Sequence, residues 1–353
     1  MGTFFTVVIA VLVFGFLIFI HEFGHYITAR IFKVKINEFS IGMGPRLVTY
    51  DSKKTGIKYS LAALPIGGYV AMEGEDGRDE NALDDPNGFD KKPAWQRFII
   101  VIAGATVNIL AGFLAMILLT AIINIGDTTV REFVDTAETG YEISSADSGL
   151  KVGDEIVAVD GKRVRILDQL SYEIMRRGNV PIDVTVIRDG KEIVIPDVIF
   201  PTISEQEQTF GAMDFRVSRV EKTLGTVLKF SFNKSCLIIR MVWESLYDLI
   251  TGRYTLAAVS GPVGISGAIG DAAREGFASL LYIVTLISIN LGVMNLIPFP
   301  ALDGGRLVTI LIEMITRKKI PAKIEGWINA IGLGILLLFI IFVSVKDVIQ
   351  LIF

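Results

Sequence analysis

The sequence predicts a polytopic α-helical membrane protein with about four transmembrane helices, interrupted by a β-rich segment and by one inserted soluble α/β domain. Three observations predict it. The 353 residues are 51% hydrophobic with a mean hydropathy of +0.54, too apolar for a water-soluble chain of this length. Four stretches, residues 1–20, 98–126, 277–302 and 326–345, hold no Asp, Glu, Lys or Arg, and each matches or exceeds the roughly 20 helical residues that a hydrocarbon core requires. Between the second and third stretches, about 150 residues have the mixed composition of a soluble domain.

The first apolar stretch lacks a basic leading region and an Ala-x-Ala type cleavage site, so it reads as a retained span. Segments 30–92 and 306–323 are rich in Lys and Arg, including Lys33, Lys35, Lys53, Lys54, Lys91, Lys92, Arg317, Lys318 and Lys319, which makes them cytoplasmic. Both termini and the long insertion then lie on the opposite side of the cell membrane. The expected divisions are a membrane core at 1–126 and 277–353, a soluble domain at 127–205 and a connector at 206–276. In the cytoplasmic segment, Ile57, Tyr59, Leu61 and Ala63 alternate with smaller or polar neighbours, a strand pattern that runs into a glycine-rich turn at Gly67 and Gly68. It is either an ordinary hairpin or an exposed strand edge. In the soluble domain, 183–187 and 192–195 read as strands around the turn Asp189-Gly190, and 167–177 has helical spacing. Residues 221–253 intersperse apolar positions with Lys229, Lys234, Arg240, Glu244 and Asp248, which suits a helix lying at the membrane interface or one packed on the soluble domain.

The net charge of −4 is small and the basic residues are dispersed, so nucleic acid is not an expected partner and the bilayer is. The single cysteine, Cys236, excludes an intramolecular disulfide and any multi-cysteine metal site. A metal must therefore be held by His, Asp or Glu. His21-Glu22-Phe23-Gly24-His25 follows directly on the first apolar stretch, and residues four apart share a helix face, so both imidazoles can reach one cation. Glu22 flanks that face and can take a proton from water activated by zinc. The plain alternative is a pair of histidines anchoring the helix at the headgroups. Against it, both histidines of the chain fall in this motif, and ionisable groups contiguous with a membrane helix mark function by default. A catalytic zinc takes three protein ligands and keeps one position open. The best candidate for the third is Asp303, the first charge after the third apolar stretch, presented by helix-breaking Pro298 and Pro300 and followed by Gly304 and Gly305.

With these motifs, and with 64–70 (Leu-Pro-Ile-Gly-Gly-Tyr-Val), 104–108 (Gly-Ala-Thr-Val-Asn), 261–265 (Gly-Pro-Val-Gly-Ile) and 290–305, nearly the whole chain resembles the site-2 protease family of intramembrane zinc metalloproteases. The resemblance is to the bacterial branch that acts in regulated intramembrane proteolysis and carries an extracytoplasmic PDZ domain. It implies one zinc per chain held by His21, His25 and Asp303, with Glu22 as general base. It also implies that Asn290 and Asn295 hold the substrate backbone, although asparagines there also suit hydrogen bonding between helices. Asn108, with Gly67 and Gly68, is implied to support the site. The β-rich segment is implied to be membrane-associated. A helical substrate hides its scissile carbonyl in its own hydrogen bonds, and a strand edge can hold the unwound segment. Residues 148–164 resemble the core of a PDZ domain; some members of the family have two, and this chain has room for one, read as a gate against substrates with untrimmed outer domains. The implied reaction is hydrolysis of a peptide bond in the membrane span of a single-span protein, near the cytoplasmic face, with an anti-sigma factor first and remnant signal peptides next among substrates. A scaffold with a structural zinc needs four closed ligands, and three are visible. A metal transporter needs several ionisable groups along the spans, and these have almost none.

Overall fold

A run of apolar residues in a bilayer must satisfy its backbone internally, and the helix does so within one segment. The chain begins accordingly with α1 (Thr3–Ile31), crosses β1 (Ile36–Asp51) and β2 (Lys58–Met72), and enters α2 (Ala94–Ile122). Then follow β3 (Gly126–Phe133), β4 (Glu155–Val159), β5 (Lys162–Arg163), α3 (Leu167–Arg177), β6 (Ile182–Arg188), β7 (Lys191–Val198), β8 (Thr202–Glu205), β9 (Gln208–Gly211) and β10 (Phe215–Arg219). Helices close it: α4 (Leu224–Ile250), α5 (Pro262–Glu275), α6 (Phe277–Asn295), α7 (Asp303–Thr316) and α8 (Ala322–Ile352). This computed structural model describes residues 3–75, 86–134, 143–205, 208–253 and 259–352. Met1 and Gly2 of the first expected span, and the expected domain boundary at 205/206, touch residues outside that set. The chain divides into two compact units, 1–115 with 238–353, and 116–237.

In the first unit, α1, α6 and α8, with α2, are the four described helices long and apolar enough to cross a membrane. Phe4, Leu12 and Phe16 of α1 and Leu337, Leu338 and Ile341 of α8 lie exposed, as suits surfaces whose solvent is lipid. The chain is a polytopic membrane protein. The first helix does not stop where its uncharged stretch ends; it continues through the histidine motif to Ile31, because the imidazoles turn inward against α2. Bare glycine backbone brings the helices close: a Cβ at Gly24 would lie 2.6 Å from the carbonyl oxygen of Ala103, and one at Gly292 2.7 Å from that of Ala105. Contacts of Gly24 with Ala103 and of His21 with Asn108 run in opposite senses along α1 and α2, so these two are antiparallel.

Strands β1 and β2 are long and bent, and pair twice. Ile36 to Ile41 pairs with 68–72, and 38–41 also meets 58–61, while 46–51 pairs with 58–62. The result is a small sheet of four strand passes in which 68–72, among the described residues, pairs on one side alone. The expected glycine-rich turn is instead an irregularity inside β2: Gly67 takes φ +76° within the strand, so the chain kinks and continues. Buried Glu38 accepts both arms of the Arg46 guanidinium, at 2.8 and 2.7 Å, and the hydroxyl of Ser60.

The second unit is built on a sheet of order β10-β3-β4-β6-β7, with β5 on β4 and a separate β8–β9 hairpin. Helix α3 covers Leu167–Arg177 and β6 and β7 flank Asp189 and Gly190, both at positive φ, as the sequence pattern predicts. Ile156, Val159, Leu170, Ile174, Val184, Val186 and Phe200 form the core. The connector expected at 206–276 differs, since its first residues supply β9 and β10, and β10 pairs with β3 at the sheet's edge. Phe215 is 1% exposed in that core, and burying it draws the strand in. Helix α5 is capped from α8, where Asp347 accepts the backbone N–H groups of Gly261 and Gly264 at 2.8 Å each.

Candidate metal centre

His21 and His25 stand one turn apart on α1 and face α2 and the start of α7. Helix α6 ends at Asn295 because Pro298 and Pro300 cannot continue it. The chain then turns so tightly that a Cβ at Gly304 would lie 2.0 Å from the carbonyl oxygen of Ile297, and one at Gly305 2.5 Å from that of Phe299. Ala301 sits at φ +72° in this turn, a left-handed conformation that costs a residue with a side chain and is held by its surroundings. Helix α8 supplies part of that support: Gly332 presents bare backbone to Pro300, 2.7 Å from its carbonyl oxygen when a Cβ is added. Asp303 emerges as the first residue of α7.

These three side chains converge. The Asp303 Oδ2 atom is 3.2 Å from His21 Nε2 and 3.3 Å from His25 Nε2, and the two ring nitrogens are 3.3 Å apart. Among the described residues this is the group of His, Cys, Asp and Glu able to hold an ion. The protonation pattern explains why a cation belongs there. His25 Nδ1 lies 2.9 Å from the carbonyl oxygen of Ile100, which can only accept, so Nδ1 carries the proton and Nε2 of the neutral ring offers a lone pair. His21 Nδ1 is 3.4 Å from the side-chain amide of Asn108, whose Oδ1 is buried without a hydrogen-bond partner. Turning that amide over gives Oδ1 the Nδ1 proton of His21 and frees its Nε2 in the same way. Asp303 Oδ2 is likewise buried and without a hydrogen-bond partner. Three electron-rich atoms facing one another repel unless a cation lies among them, and two nitrogens with one carboxylate oxygen are the donor set of a catalytic zinc.

Glu22 is 8% exposed beside the ligand pair. A Cβ at Gly68 would lie 2.9 Å from Glu22 Cγ, so the one-sided strand pass 68–72 runs directly past this carboxylate. Gly104 of α2 faces the ligands from the other side, where a Cβ would lie 2.3 Å from His25 Nε2 and 2.8 Å from Cε1 of His21. Thus His21, Glu22, His25, Asp303, Asn108 and Gly68 meet at one place. Gly67 packs against Met43 instead. Asn290 and Asn295 are half-buried on α6, without a side-chain hydrogen bond among the described residues; the same helix reaches the site through Ser288, which donates to the carbonyl of Asn108 at 2.8 Å. Sequence reasoning missed the Ile100 carbonyl, whose role depends on backbone position and leaves no residue-type signal. It also missed the closeness of Gly104, for which a glycine opening the 104–108 motif was the available sign.

A sequence profile described as peptidase family M50 matches residues 9–339. A protein of Fusobacterium nucleatum named "putative zinc metalloprotease" is 34% identical over 346 residues, covering 97% of this chain and 98% of its own. One of the same name from Clostridium acetobutylicum is 35% identical over 348 residues, 98% of each chain. The regulator of sigma-W protease RasP of Bacillus subtilis is 25% identical over 422 aligned positions, 97% of this chain and 98% of its own.

Proposed function

The chain belongs to peptidase family M50 and is a metalloprotease, and from that premise we propose that it is a zinc-dependent intramembrane protease that cleaves the membrane span of single-span proteins. The observation that carries this reading is the convergence of His21, His25 and Asp303 to within 4.8 Å of one another, with both histidines and Glu22 in the C-terminal half of a helix apolar enough to cross a membrane. His21, His25 and Asp303 hold one zinc, which when bound supplies Lewis acidity that polarises a peptide carbonyl and eases the ionisation of water.

The remaining steps belong to the protein's own groups. The Glu22 carboxylate accepts a proton from the attacking water as the new C–O bond forms, and returns it to the leaving amine nitrogen as the C–N bond breaks. Ile100 and Asn108 fix the imidazole tautomers. The strand pass 68–72 holds the unwound substrate by main-chain hydrogen bonds, delivering its carbonyl past Glu22, and Asn290 and Asn295 of α6 bind the backbone beyond it. The basic segments 30–92 and 306–323 support a reading in which this end of the bundle faces the cytoplasm, with the termini and the second unit outside. There the second unit, a PDZ-type module carried by 148–164, restricts access to substrates already trimmed by another protease. The likeness to RasP makes a membrane-anchored anti-sigma factor the first substrate class to test, with remnant signal peptides next.

The test is zinc content and cleavage of a single-span substrate by the purified full chain, with Glu22→Gln and Asp303→Ala. Cleavage lowered about 10²–10⁴-fold with zinc retained in Glu22→Gln, and zinc lost with cleavage in Asp303→Ala, is the expected result. Undiminished cleavage by Glu22→Gln rejects the assignment of the base.

A further inference from the structure

Asp303 is useful as a ligand only if α7 is held at the right height and rotation, and the tight turn before it fixes one side alone. One turn further along α7, Arg306 reaches back to the end of the sheet. Its Nη1 donates to Glu75 Oε1, and its Nη2 to the backbone carbonyl of Glu75 at 3.2 Å. The other carboxylate oxygen of Glu75 accepts the N–H of Met72, the last residue of β2, at 3.2 Å. The guanidinium carbon also lies 5.7 Å from the centre of the Phe89 ring, an arrangement that favours Arg over Lys. Both side chains are largely withdrawn from solvent, 25% exposed for Arg306 and 15% for Glu75. Beside them, Leu307 and Ile310 of α7 share a buried cluster with Val70, Met72 and Phe89.

We infer that Arg306 and Glu75 are positioning residues that lock the helix carrying Asp303 to the same strand that passes Glu22, so that the third metal ligand and the general base keep one fixed spacing. Glu75 is not among the groups that converge on the candidate ion position. Its forked, charge-assisted geometry restricts rotation of α7 in a way that apolar packing by Leu307 and Ile310 does not. It couples two parts of the site contributed by distant stretches of chain: Gly68 and Glu75 lie on and just beyond β2, and Asp303 and Arg306 on α7.

The inference rests on the assignment of Asp303 as a ligand, and the experiment separates the two. Zinc retention by the full-length purified chain is measured against a competing chelator, with kcat and KM for a single-span substrate, for Arg306→Ala, Arg306→Lys, Glu75→Gln, the exchange Glu75→Arg with Arg306→Glu, and Asp303→Ala. Disrupting the pair is expected to weaken zinc retention about 10–100-fold, the range for groups that orient ligands, and to lower kcat while KM stays within twofold. Arg306→Lys is expected to recover part of the loss, and the exchange more than either of its single changes. Normal zinc retention in Arg306→Ala and Glu75→Gln, with Asp303→Ala stripped of metal, overturns the positioning role and leaves the ligand assignment standing. Zinc retained in Asp303→Ala overturns both.

Discussion

Two aspartates with buried carboxylate oxygens, one in each unit, show how differently folding and chemistry use the same side chain. Asp154, 1% exposed, receives both arms of the Arg188 guanidinium at 2.7 Å and the backbone N–H of Lys151 at 2.8 Å. Nearby, Asp214 is saturated in the same manner by the Ser145 N–H and the hydroxyls of Ser144 and Ser145. Asp303 also lies largely buried, yet its Oδ2 has no hydrogen-bond partner and instead faces the Nε2 atoms of His21 and His25. A carboxylate that holds a loop in place has its acceptor capacity filled by the protein. On the proposed reading of Asp303 as a metal ligand, that capacity is left open, at a cost that a bound cation offsets.

This contrast is open to a reciprocal test. Asp303→Asn, which preserves shape and removes charge, is expected to abolish cleavage, with a fall of three orders of magnitude or so, while amide exchange in β4 and β6 stays unchanged. A loss of protection in those strands would break the distinction. Asn108→Ala removes a partner of His21 and is expected to weaken zinc retention or cleavage by about 10–100-fold; chelator competition checks it. Asp154→Asn is expected to leave cleavage intact and to destabilise the second unit by about 2 kcal/mol, because hydrogen bonds to a charged group are lost while Arg188 remains, as read by exchange of β4 and β6 amides.

The smallest effect is one of pH. Burial pushes the Asp154 carboxyl up, but the Arg188 fork and the Lys151 N–H outweigh it and hold the group below its ordinary value of 3.8. Its contribution to stability is therefore complete above that value and is lost as pH falls through the lower folded value. Protection of the sheet should decline below about pH 4, and Asp154→Asn should flatten that part of the profile.

Most of the membrane core was legible because lipid imposes a simple rule: residues without charge, in runs of sufficient length, form helices. The rule failed at Ile20, where charge reappears but the helix continues, since His21 and His25 find partners on α2 instead of water. Asp303 was legible from Pro298 and Pro300, which must break a helix, and from its being the first carboxylate afterwards. The kink at Gly67 resembled a turn because glycine signals a permissive backbone without saying whether the strand resumes. Strand β10 was hidden because Phe215–Arg219 is short, and its burial depends on a core formed by residues far earlier in the chain. The Arg306–Glu75 pair had no local signature at all; only the packing of α7 on the sheet brings the two together.

The antiparallel embrace of α1 by α2, closed later by the turn before α7, also sets an order of events during synthesis. His21 and His25 leave the ribosome early and Asp303 late, so a growing chain holds two imidazoles that lack their carboxylate partner. Because metal binding is coupled to completion of its ligand set, the proposed centre can close only once the segment that carries Asp303 has been made.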